Sequence, residues 1–184
     1  MKQLLLVLFT LISFAGCKKD RYAPEAPSIE FGEWKYLKKD AAGHDQLVEL
    51  IIYFKDRNGD IGRREFEQVD NCGRPVNDLF IYYEKKVNNI YSPAYIPLPD
   101  SALDLNCNLI PGSYVDSSQI FFHRALEYIQ PEGNNRSIEG EIAYQLDYAS
   151  ALSNLFPVGR CKIYLMDRAG NKSNVIYSDD LVIN

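Results

Sequence analysis

The sequence has little of what catalytic and metal chemistry needs. Its 184 residues include two histidines, His44 and His123, one tryptophan, and four cysteines with no C-x-x-C pair among them. That spacing excludes the usual cysteine–histidine zinc clusters. No G-x-S-x-G elbow is present to pair a nucleophile with either histidine. Basic residues are too few and too scattered for a nucleic-acid footprint: 20 Lys and Arg face 25 Asp and Glu, a net charge of −5. Helical periodicity is scarce, and long apolar runs are confined to the first 17 residues.

Those residues read MKQLLLVLFTLISFAGC, with Lys2 as a short positive start, an uncharged stretch from Leu4 to Ala15, and Gly16 before Cys17. This is the layout of a secretory signal. The apolar run of about 12 residues falls well short of the ~20 that a membrane-crossing helix requires. Phe14-Ala15-Gly16-Cys17 resembles a lipobox, with Phe14 where Leu is usual. The resemblance implies cleavage after residue 16, acylation of Cys17 and a membrane anchor made of several acyl chains. Residues 17–27 then form a lipidated cysteine and tether. Lys18 to Pro27 is polar with two prolines, and ten residues at ~3.1 Å each reach about 30 Å. Lys18-Lys19-Asp20 resembles the lysine–acid cluster that accompanies surface export of lipoproteins in Bacteroidota. It favours an outer-membrane lipoprotein facing outward, with the periplasmic face as the alternative. Without residues 1–16, 19 basic and 25 acidic residues remain, a net charge of −6. Anionic headgroups repel such a surface, so the expected membrane partner is engaged through the lipid.

Residues 28–184 alternate with period 2. Val48, Leu50, Ile52 and Phe54 share one face of a strand, against Leu47, Glu49, Ile51, Tyr53 and Lys55. The second face is half apolar, which predicts a strand central in its sheet. Ile138 to Tyr148 predicts a one-sided strand with Glu139 and Glu141 outward. Similar runs at 28–37, 79–87, 119–126, 160–167 and 174–183 bring the total to seven or eight strands, an all-β sandwich in one domain. The stretch 92–117, with four prolines and no period, is a long loop. Of the three domain cysteines, Cys161 shares a face with Ile163 and Leu165 and reads as a small buried hydrophobe. Cys72 and Cys107 lie in loop-like sequence and are the favoured disulfide, the other pairings staying open.

Two strands end alike. IIYFK runs into Asp56-Arg57-Asn58-Gly59-Asp60, and KIYLM runs into Asp167-Arg168-Ala169-Gly170-Asn171. The pattern suits a tight turn in which Asp caps backbone N–H groups and Gly accepts positive φ. The stretch DRAGNKSNVIYSDDLVI resembles the last hairpin of bacterial immunoglobulin-like and fibronectin-type-III-like modules, through Asp167, Gly170 and Asn171. YFKDRNGDIG resembles the F-x-D-x-x-G-D-I-G signature of small lipoproteins of Bacteroidota, and IEGEIAYQLDY fits the same group. The resemblance implies an immunoglobulin-like β-sandwich on a lipid anchor and implies no activity. The Cys-Trp-Cys spacing of antibody domains is missing, because Trp34 precedes every domain cysteine.

Asp56, Asn58 and Asp60, with Glu67 at the twelfth position, echo a calcium loop of hard oxygen ligands. The sixth position, where such a loop needs Gly, is Ile61, and the flanks read as strand. A self-capped β-turn is the competing reading, and Ca²⁺ is the single cofactor the sequence suggests. Tyr82, Tyr83, Tyr91 and Tyr95 could stack on sugars, but Tyr82 and Tyr83 point to opposite faces. Neither histidine gains a catalytic partner, and the acid pairs Glu139/Glu141 and Asp179/Asp180 read as solvated or divergent strand residues. Asp100-Ser101-Ala102 resembles a Bacteroidota O-glycosylation acceptor at Ser101, and Asn135-Arg136-Ser137 reads as a loop. The expectation is a non-enzymatic binding or structural module at the cell envelope, with an unassigned protein or glycan ligand and no nucleic acid. The alternatives are a glycan-binding accessory lipoprotein of a nutrient-uptake system and a calcium-stabilised adhesion-type module.

Overall fold

The alternating pattern of residues 47–55 becomes the middle strand of an antiparallel sheet, paired along both edges while Val48, Leu50, Ile52 and Phe54 face the core. The computed structural model describes residues 26–39, 41, 43, 45–74, 76–96, 104, 106–112, 118–129, 137–146 and 156–183. Cys17, His44, Ser101 and Asn135 lie outside the described residues. The elements are β1 (Ser28–Lys39), β2 (Asp45–Asp56), a 3-10 turn (Glu65–Glu67), β3 (Leu79–Val87), β4 (Ile90–Pro93), β5 (Tyr95–Ile96), β6 (Ser118–Gln119), β7 (Ile138–Leu146), β8 (Val158–Leu165), β9 (Ile176–Tyr177) and β10 (Leu181–Val182).

Three strands form one sheet in the order β1-β2-β7, and five form a second in the order β10-β8-β3-β4 with β9 also on β8. Every named strand pair is antiparallel. The chain is all-β, and the two sheets share one core in the manner of a β-sandwich. Val48, Leu50, Ile52 and Phe54 of β2 meet Leu79, Ile81 and Tyr83 of β3 and Cys161, Ile163 and Leu165 of β8 in it. Strand β7 is one-sided: Ile138 and Leu146 are buried while Glu139 and Glu141 are exposed. Tyr83 fits the core because its hydroxyl donates to Phe156 O at 2.8 Å, so the ring's one polar atom is satisfied.

Two expected strands differ in detail. Of residues 119–126, Gln119 alone belongs to the two-residue β6, and single bridges then run from Phe121 and Arg124 to β3. Phe122 and Arg124 still donate to Ile81 O and Leu79 O, both at 2.9 Å. The segment thus follows the β3 edge as a broken ladder. The run 174–183 splits into β9 and β10, because Ser178 Oγ accepts the Cys161 N–H at 2.9 Å where a strand carbonyl would. These breaks and the short β4–β6 pieces raise the strand count above the expected seven or eight.

Candidate functional site

Four aspartates of the same local design build one end of the sandwich. Each accepts the backbone N–H four residues ahead, and three also accept the one two ahead, the Asx-turn chemistry of a short carboxylate. Asp56 takes Asn58 N at 3.4 Å and Asp60 N at 2.9 Å. Asp70 takes Cys72 N at 2.8 Å and Arg74 N at 2.9 Å. Asp104 takes Asn106 N at 2.8 Å and Asn108 N at 2.9 Å. Asp167 takes Asn171 N at 2.7 Å. In the first and last turns Gly59 and Gly170 supply φ of 64° and 85°, which a residue with a Cβ adopts at a cost.

The turns are joined in pairs. Arg168 N donates to Asp60 O at 3.1 Å, which brings the two D-R-x-G turns together. Cys72 and Cys107 form a disulfide with Cα atoms 5.4 Å apart, which ties the Asp70 turn to the Asp104 turn. A third link connects the pairs: Arg168 Nη2 reaches Glu67 Oε1 at 2.6 Å. Arg64 and Arg168 both lie over the Tyr128 ring, at 5.4 and 5.2 Å from its centre. Arg63 pairs with the 126–128 backbone and stands 2.8 Å from Asp78 Oδ1. Gly62 lets that backbone approach, since a Cβ there would lie 2.1 Å from Glu127 O.

The electrostatics follow from these contacts. Burial, then the carboxylates of Asp167 and Asp56, push the Asp60 carboxyl up to about 6. The Arg64 N–H bond, aided by Arg168, holds Glu67 below its usual range. The Arg74 and Asn108 backbone bonds do the same for Asp70 and Asp104. Burial raises Asp78 despite the Leu126 N–H and Arg63.

The calcium set therefore divides. Asp56, Asn58 and Asp60 share one turn, while Glu67 is engaged by Arg168 and Arg64. The Oδ1 atoms of Asn58 and Asp60 are shielded and accept no hydrogen bond from the described residues. Among those residues no three His, Cys, Asp or Glu side chains are placed to hold a metal ion.

The other candidates lie elsewhere. Tyr83 is in the core, and Tyr82 stands on the outer face of the five-stranded sheet beside Tyr164 and His123. The faces of Phe80 and Tyr164 stack on each other 4.7 Å apart, and Arg160 covers the Tyr91 ring at 3.9 Å. These faces are occupied from within; Tyr95 is the exposed one of the four tyrosines singled out in sequence. His123 Nδ1 accepts the Ile81 N–H at 3.3 Å, and burial pulls the imidazole down to about 4. Asp180 binds Lys86 and Tyr91, whereas Asp179 is exposed and offers its carbonyl to Trp34 Nε1 at 3.1 Å. Glu139 pairs with Lys55 at 2.9 Å. Cys161 is free and buried, and burial raises its thiol.

Sequence reasoning found the 56–62 and 167–171 turns and both cysteines of the bridge. It missed the Asp70 and Asp104 turns, whose signal is an Asp followed at four positions by a polar residue. It also missed Arg168 as the connector, for which local sequence carries no signal. No helix among the described residues is long and apolar enough to cross a membrane. No protein-family model, curated protein or solved structure matches the chain.

Proposed function

We propose that the chain is a lipid-anchored binding or structural module of the bacterial cell envelope, non-catalytic, and held at the outer membrane through Cys17. The domain is read as an immunoglobulin-like sandwich that stands close to its membrane on the Lys18–Pro27 tether. The observation that carries this reading is the Cys72–Cys107 bridge. Disulfides persist in oxidising compartments, which agrees with the export signal written in residues 1–16. The loop end supports a non-catalytic role: Asp56, Glu67, Asp70, Asp104, Asp167 and Arg168 are engaged in turns and with one another. Such a constellation holds shape, and among the described residues it sets no nucleophile beside a base.

The anchor is tested by fractionating cells that express the wild-type chain or Cys17→Ser. The wild type should incorporate labelled palmitate and lose residues 1–16, and the variant should take up no label and keep its leader. A wild type that takes up no label, or a variant labelled as strongly as the wild type, contradicts the reading. Protease added to intact cells then separates the two faces, since an outward-facing domain is cut before lysis and a periplasmic one only after it.

A further inference from the structure

The loop end is internally paired, yet it exposes four large apolar side chains: Phe66 (72% exposed), Val69 (53%), Leu109 (66%) and Ile110 (43%). Phe66 and Val69 lie within six residues of Cys72, and Leu109 and Ile110 within three of Cys107. The disulfide therefore gathers all four on neighbouring turns. Apolar side chains grouped on an otherwise polar surface mark a contact site.

The position of this cluster identifies the contact. The described chain enters the fold at Ser28, which pairs with Lys55 at the end of β2. The next residue, Ile29, is held at both its N–H and its C=O by Asn174, each at 2.8 Å. Asn174 follows the Asp167 turn, whose Arg168 grips Glu67, the neighbour of Phe66. Chain entry and apolar cluster are thus on the same end of the domain. We propose that Phe66, Val69, Leu109 and Ile110 rest in the headgroup–acyl boundary of the bilayer that holds the lipid anchor. This rests on the anchored reading above.

The physics is that of a second, weak membrane signal added to a strong one. The ten residues Lys18–Pro27 keep the domain within about 30 Å of the surface, so insertion is an intramolecular event at high effective concentration. A few apolar side chains then suffice. With a net charge of −6 without residues 1–16, electrostatics does not supply the contact, so it should be insensitive to salt on neutral vesicles and weaker on anionic ones, where salt restores it.

The test uses the full chain, processed in cells, purified in detergent and reconstituted into phosphatidylcholine vesicles with brominated acyl chains. Intact mass reports whether Cys17 carries its lipid. Phe66→Trp and Leu109→Trp each place a fluorophore in the cluster, and the wild type, whose sole tryptophan is Trp34, gives the background. The proposal expects brominated lipid to quench both variants well beyond the wild type, with emission shifted to the blue. Lipidated chain without that quenching overturns the proposal and leaves the anchor standing. Chain without lipid removes the anchored reading, and the proposal with it. In water, the same variants expressed without residues 1–16 and with Cys17→Ser should show unshifted emission. A concentration-dependent blue shift there assigns the cluster to a second copy and also overturns the proposal.

Discussion

Asn174 holds Ile29 with both ends of its amide, accepting the Ile29 N–H at Oδ1 and donating from Nδ2 to the Ile29 carbonyl, each at 2.8 Å. Ile29 is almost fully buried, so without Asn174 two backbone groups at the start of β1 would lack these partners. One side chain 145 residues away thus fastens the point at which the chain enters the sandwich.

Asn174→Ala is expected to destabilise the domain by about 1–3 kcal/mol, the cost of leaving buried polar groups unpaired. Amide exchange at Ile29 should rise more than exchange at Leu50 in the centre of β2. Uniform acceleration at both positions would mean that Asn174 supports the whole fold and not the entry of β1.

The strands were legible because burial imposes period 2. β2 reads as central since Ile51 is as buried as Ile52 on the opposite face, and β7 reads as one-sided since its outward positions are Glu139, Glu141, Ala143 and Gln145. Cys161 was legible for the same reason. The interruptions in 119–126 and 174–183 were not, because Ser178 Oγ substitutes for a strand carbonyl only once the strands are already paired. The loop end was half legible. The D-R-x-G turns announce themselves locally, whereas the Glu67–Arg168 contact spans 101 residues and depends on how the sheets meet. Glu67 entered the calcium set by its spacing alone, and its carboxylate accepts from the Arg168 guanidinium and the Arg64 N–H.

The Cys72–Cys107 bridge joins residues 35 apart. Closing such a loop should stabilise the domain by about 3–4 kcal/mol through the unfolded chain. Cys72→Ala with Cys107→Ala should therefore lower the urea midpoint by a corresponding amount. Because Cys161 is buried with its thiol raised, a thiol reagent should miss it in the folded domain and react once urea unfolds the chain. Equal midpoints for the wild type and the double variant would remove the bridge as a stabilising element.

Asp60 gives the domain a stability that falls as pH rises. Its folded pKa of about 6 lies above the ordinary 3.8, so the folded state holds its proton more tightly than the unfolded chain. The contribution is intact below about pH 4 and is lost as pH climbs through 6. The group is partly exposed, so the expected loss is about 1 kcal/mol, less than the bare shift implies. Asp60→Asn should be more stable than wild type at pH 7.5 and nearly equal to it at pH 4. A difference that does not change across this range would show that the carboxyl does not titrate with folding.

His123 works in the opposite sense over an overlapping range. Burial, beside the Phe80, Tyr82 and Phe121 rings, lowers its folded pKa from 6.5 to about 4. The unfolded chain then binds a proton that the folded state refuses, so stability present above pH 6.5 is lost as pH falls towards 4. Partial exposure brings the expected loss to about 1–2 kcal/mol. His123→Gln keeps an acceptor for the Ile81 N–H, bonded at 3.3 Å in the wild type, and removes the titration. Its cost at pH 7 should shrink on acidification, so the two urea midpoints converge towards pH 4. In the Asp60→Asn background the wild-type imidazole acts without the opposing carboxyl, and the acid-side loss should steepen between pH 6 and 4. If that slope stays the same whether position 60 is Asp or Asn, the two groups do not set the pH response of this fold.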